Sequence, residues 1–79
     1  MEIIGIVETK AETTKGRLTF SLRREDNGQI ASCISAVGLK PAKPIVGDRV
    51  ALMGEQVAGS NGAPATFGFD YLEVMKKRP

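Results

Sequence analysis

The sequence predicts an all-β domain, a five-stranded barrel of Greek-key type with little or no helix between its third and fourth strands. Three observations carry that expectation. Residues 17–24 alternate apolar and polar, and Glu25-Asp26-Asn27-Gly28 follows as a hairpin turn in which Asn and Gly tolerate positive φ. The stretch Val46-Gly47-Asp48-Arg49-Val50-Ala51-Leu52-Met53-Gly54-Glu55 reads as a turn, then a short strand with Val50 and Leu52 on one face, then a glycine that bends it. Three strand-like segments precede that stretch and one follows it, while Pro41 and Pro44 exclude a regular helix just before it.

The first strand, 2–10, is β-branched and apolar on both phases before it turns polar: Ile3 and Val7 share one face, Ile4 and Ile6 the other. A strand that coils through both halves of a barrel is buried on both sides, and Gly5 would ease its bend. Residues 11–16 are polar, end in Gly16 and read as a loop. In the second strand, 17–24, Leu18, Phe20 and Leu22 face one way, and Arg17, Thr19, Ser21 and Arg23 the other.

The third strand covers 29–37, and its register decides its faces, because a slip of one residue turns every side chain over. A three-residue loop, Asp26-Asn27-Gly28, pairs Phe20 with Ile34, Leu18 with Ala36 and Leu22 with Ser32, which keeps the apolar face continuous. The outer face then sets Arg17, Thr19, Ser21 and Arg23 opposite Val37, Ser35, Cys33 and Ala31. Strand four covers 48–57, a glycine-rich loop follows over 58–65, and strand five covers 66–75 with Leu72 and Val74 inward. Phe67, Phe69 and Tyr71 lie on the other phase, so either they face a partner or a bulge near Asp70 changes the phase. Residues 1–75 thus form one barrel domain, and 76–79 a basic tail.

Composition narrows the function classes. A chain of 79 residues suffices for one domain with a thin core, and 42% hydrophobic with 25% charged residues fits a folded chain rather than a disordered one. The net charge of +2 permits a polyanionic partner without demanding one. Cys33 is the single cysteine, so no internal disulfide forms. No apolar run reaches the roughly 18–20 residues of a membrane span, and the N-terminus lacks a secretory pattern. A cytoplasmic location without membrane association is expected.

Taken in order, Gly5-Ile6-Val7, Gly16-Arg17-Leu18-Thr19-Phe20-Ser21-Leu22, Val46–Glu55 and Asp70-Tyr71-Leu72-Glu73-Val74 give the chain its family likeness. It resembles the OB-fold, in particular the small single-stranded-DNA-binding and primosomal replication type. The resemblance implies single-strand binding, in the setting of DNA replication, through a basic groove over strands two and three flanked by two loops. Carried over by position, it implicates Arg17, Thr19, Ser21 and Arg23 on strand two, with Arg24 beside them, and Cys33 and Ser35 on strand three. Lys10 and Lys15 belong to the first flanking loop and Asn61 to the second, with Phe69 and Tyr71 available for stacking if they face outward. The chain departs from that pattern in having no tryptophan and no aromatic on the outer face of strands two and three.

Catalysis is not expected. The absence of histidine removes the commonest general base and metal ligand, and Cys33 has no base to activate it. No phosphate-cradling glycine loop, zinc spacing or calcium loop occurs, so no cofactor or metal is expected. Two functional classes remain. One is a non-enzymatic module for single-stranded DNA (or RNA), with four to six cations giving a log–log salt slope of about −3 to −4. The other is a protein-interaction barrel, a homodimer or an accessory subunit of a larger assembly, whose small outer residues Ser21, Ala31, Cys33 and Ser35 would let two sheets approach.

Overall fold

A computed structural model describes residues 1–39, 43–57 and 66–75. The β-branched and alternating segments form six strands: β1 (Glu2–Val7), β2 (Glu12–Thr14), β3 (Arg17–Arg24), β4 (Ile30–Ser35), β5 (Arg49–Val57) and β6 (Thr66–Val74). No helix occurs among the described residues. The five expected strands are β1, β3, β4, β5 and β6. Hydrogen bonding runs β1-β5-β6-β4-β3 and returns from β3 to β1, which closes a mixed barrel with OB-fold-like connectivity. Every pairing is antiparallel except β4 with β6.

β2 is an addition to the expected plan. The segment read as a loop folds back as a short hairpin, because Lys15 (φ 52°) and Gly16 (φ 77°) both take the left-handed conformation of a tight two-residue turn. Glu12 thereby pairs with Thr19, and Thr14 with Arg17. The Gly47-Asp48 turn is as expected. Gly47 has φ 98°, the Asp48 amide donates to the Ile45 carbonyl at 2.9 Å, and the buried Asp48 carboxylate accepts from the Ile45 amide at 3.0 Å.

The register of β3 against β4 corrects the sequence reading. Arg24 and Gln29 close the hairpin around a four-residue loop, with the Gly28 amide donating to the Arg24 carbonyl at 2.9 Å and Asn27 Oδ1 accepting from the Gln29 amide at 2.9 Å. Phe20 therefore lies opposite Cys33, Leu22 opposite Ala31, and Thr19 opposite Ile34. Cys33 and Ser35 turn inward, while Ile30, Ser32 and Ile34 turn outward.

Core volume explains the shift. β6 runs beside β4 and sets Phe67 next to Cys33 and Phe69 next to Ser35, so bulky residues on both flanking strands require small ones between them. The Phe20 and Phe69 rings sit 5.7 Å apart at 57°, a favourable tilted contact. Phe67 and Phe69 reach the core because β6 skips Asp70 between the Tyr71–Met53 and Phe69–Gly54 pairs, so the bulge alternative holds for them. Tyr71, beyond the bulge, is exposed.

β1 closes the barrel by pairing with β5 along most of its length and with β3 at its end. Gly5 faces Val50 on one side and Arg24 on the other. A side chain there would meet the Arg23 carbonyl and lie 2.7 Å from Leu22 Cδ1. Gly5→Ala is expected to lower unfolding free energy by about 3 kcal/mol, at the upper end for overpacking, because the obstacle is backbone. Gly28→Ala meets no neighbouring atom but holds φ 73°, and should cost only about 1–2 kcal/mol. Urea unfolding of both variants checks the order of the two effects.

Candidate functional site

The outer face of β3 and β4 forms the floor of an open trough of about 410 Å³. Thr19 and Ser21 of β3 and Ser32 and Ile34 of β4 make the floor, Thr9, Lys10 and Glu12 make one wall, and Thr66 closes the other side. The wall is tied to the floor by backbone. The Glu8 amide donates to the Ser21 carbonyl at 2.8 Å, and Thr9 Oγ1 accepts from the Ser21 amide at 2.9 Å. Thr19 Oγ1 donates to the Glu12 carbonyl at 3.3 Å.

The expected residues divide into three groups. Thr19, Ser21 and Lys10 line the trough, and Lys15 and Arg17 are exposed at the β2–β3 turn beside it. These two and Lys10 take part in no ion pair among the described residues. Arg23 shares the outer face but is partly engaged, with Nε 3.1 Å from Glu8 Oε2 and Nη1 donating to the Gly28 carbonyl at 3.0 Å.

A second group lies elsewhere. Arg24 continues the inward phase of Leu22 and binds Asp26 through Nε (3.1 Å) and Nη2 (2.8 Å), which holds the Asp26 carboxyl below its usual range. Tyr71 stands on the β5–β6 wall opposite Met53. Its hydroxyl donates to Glu73 Oε1 at 3.2 Å, and that carboxylate raises the phenol above its ordinary value. Glu25 is likewise held low by the Arg49 guanidinium, 2.5 and 3.0 Å from its two oxygens.

The third group consists of corrections. Ser35 is 1% exposed, with Oγ accepting from the Leu18 amide at 2.8 Å and donating to the Ala36 carbonyl at 3.2 Å, so its hydroxyl is a strut inside the barrel. Phe69 is also 1% exposed and cannot stack on a ligand at the surface. The outer face of β4 holds Ile30, Ser32 and Ile34 in place of Ala31, Cys33 and Ser35. Asn61 and the 76–79 tail lie outside the described residues. Thr9, Glu12, Ser32, Ile34 and Thr66 were not anticipated. The true register would have found Ser32 and Ile34, and the Lys15-Gly16 turn would have brought Glu12 beside Thr19.

The described residues offer hydrogen bonds and positive charge, and contain no group of three His, Cys, Asp or Glu side chains placed to hold a metal. Burial pushes the Cys33 thiol up to about 12, against a small opposing effect of the Arg24 charge. A thiol so held is a poor nucleophile at neutral pH. The folded chain keeps this proton where the unfolded chain has lost it. The associated stability is complete below the ordinary value of 9.0 and is lost as pH rises toward 12. Wild type should lose up to about 1.4 kcal/mol per pH unit more than Cys33→Ala over about pH 9–11, as read by urea unfolding. No family model matches this chain, and neither the curated proteins nor the solved structures include a match.

Proposed function

We propose that this barrel is a non-enzymatic module that binds single-stranded nucleic acid along the outer face of β3 and β4. The observation that carries the reading is the open trough, floored by Thr19, Ser21, Ser32 and Ile34 and bordered by Lys10, Lys15 and Arg17, cations that form no ion pair among the described residues. A single strand presents a phosphate at every step, and such cations bind it by releasing counterions. From Arg17 to Arg23 the strand spans about 20 Å, long enough for several nucleotides.

Affinity is modest on this reading. Base stacking contributes about 1–3 kcal/mol per base where aromatics are available, and the aromatic that lines the trough among the described residues, Phe20, is buried in the core. Ile34 is a half-buried apolar side chain there, beside the buried Phe20 and Cys33. Binding then rests on phosphate contacts, and engagement of Arg23 by Glu8 reduces their number below the four to six expected from sequence.

A second reading draws on a different surface. Met53 and Tyr71 are cross-strand neighbours, 46% and 47% exposed, on the wall formed by β1, β5 and β6. An apolar pair of that size on a small barrel suits contact with another protein chain.

Two measurements follow. Fluorescence anisotropy with labelled oligonucleotide should give a log–log salt slope of about −2 to −3, at roughly −0.7 per phosphate. Lys10→Ala/Lys15→Ala/Arg17→Ala should weaken binding at least about tenfold at low salt and bring the slope close to zero, while stability stays within about 1 kcal/mol. Unchanged binding in the triple variant would refute the trough reading. For the second surface, sedimentation should show self-association that Met53→Glu abolishes and salt leaves intact; a monomer throughout would remove homodimerisation.

A further inference from the structure

We propose that the trough selects RNA over DNA through the ribose 2′-hydroxyl, an inference that rests on the single-strand reading above. The sugar–phosphate backbone of DNA offers only acceptors, whereas each ribose adds a group that both donates and accepts. A site that reads the backbone can therefore distinguish the two by presenting acceptors where the 2′-hydroxyl falls.

The trough presents such acceptors. Glu12 pairs with Thr19 across the β2–β3 ribbon, so its carboxylate stands on the same face as the Thr19 hydroxyl. It takes part in no ion pair among the described residues. An ionised carboxylate accepts hydrogen bonds and cannot donate them. Thr19 Oγ1 directs its own proton to the Glu12 carbonyl at 3.3 Å, which leaves its lone pairs for a ligand. Two acceptors thus sit side by side, with the Lys10 ammonium on the same wall.

Phosphate oxygens suit Lys10 and are repelled by Glu12. A ribose unit suits both: its 3′-phosphate on Lys10, and its 2′-hydroxyl proton on Glu12 or Thr19. With Phe20, the aromatic lining the trough, buried beneath its floor, the bases contribute little that would override this difference. The carboxylate, unhelpful to any ligand read by charge alone, then has a role as the group that rejects a strand lacking the donor.

The test uses the full chain and three labelled oligomers of about 12 nucleotides that share one base: oligouridylate, its 2′-deoxy form and its 2′-O-methyl form. The 2′-O-methyl strand keeps the oxygen and loses the donated proton. Anisotropy at low salt should give oligouridylate about tenfold tighter binding than either of the others. Glu12→Ala should shrink that ratio to within about twofold while tightening the deoxy strand, because it removes a negative charge from the phosphate path. Thr19→Val, which keeps β propensity and shape, should also narrow the ratio. Circular dichroism confirms that both variants are folded. Equal binding of ribo and deoxy strands, or a ratio unchanged by Glu12→Ala, overturns the ribose inference and leaves the single-strand reading intact. Binding of none of the three overturns both.

Discussion

The packing of Phe67 and Phe69 against the small inward residues of β4 determines which side of β4 meets solvent. Each ring lies beside a residue that leaves space for it, Cys33 for the first and Ser35 for the second. With these positions assigned to the interior, Ser32 and Ile34 have nowhere to go but outward. The trough floor is thus a by-product of how the core is filled. Ser35 serves the same end in another way, since its hydroxyl accepts the Leu18 amide where the β3–β4 ladder ends. A buried amide left without a partner there would cost about 1–3 kcal/mol.

Closure imposes the second constraint. β1 is shared between two neighbours, and its backbone approaches β3 too closely at Gly5 for any side chain. At the other side of the barrel Gly54 lies against the Gly68 carbonyl and within 2.7 Å of Phe69 Cα, measured from where its Cβ would stand. This contact falls at the Asp70 bulge, where β6 changes phase. The bulge and the two close approaches let a short sheet curl upon itself. The exposed ion pairs Arg23–Glu8, Arg24–Asp26 and Arg49–Glu25 add little to stability. Their larger effect is on the surface field, where they engage three arginines and leave Lys10, Lys15 and Arg17 as the free charge near the trough.

Much of this architecture was legible in the residues. Alternation located β3, the Gly47-Asp48 turn located the start of β5, and the apolar first segment located β1, although only its Ile3, Gly5 and Val7 face is buried and Ile4 and Ile6 stay half-buried. The phase conflict at Phe67, Phe69 and Tyr71 pointed to a bulge near Asp70, and the fold contains one. The β3–β4 register was not legible, because matching apolar residues across one hairpin ignores the strand on its far side. Once β6 contributes two phenylalanines, complementarity of size outweighs continuity of hydrophobicity. Ser35 was misassigned for that reason, whereas the side of β6 that Phe69 faces depended on the bulge at Asp70. β2 escaped notice because a lysine preceding glycine is a less familiar turn signal than asparagine before glycine.

The parallel pairing of β4 with β6 also bears on how the chain reaches its native state. Ser35 meets Phe69 across a long stretch of intervening chain that contains all of β5. Such non-local pairing is reached slowly, on the order of milliseconds to seconds for β-rich domains of this kind. Until β6 docks, the β3–β4 hairpin can be covered on its inward face only in part, by β1, which precedes it in the chain and shares its core. Apolar surface that waits for a late, non-local partner is the kind that makes a folding chain prone to aggregation.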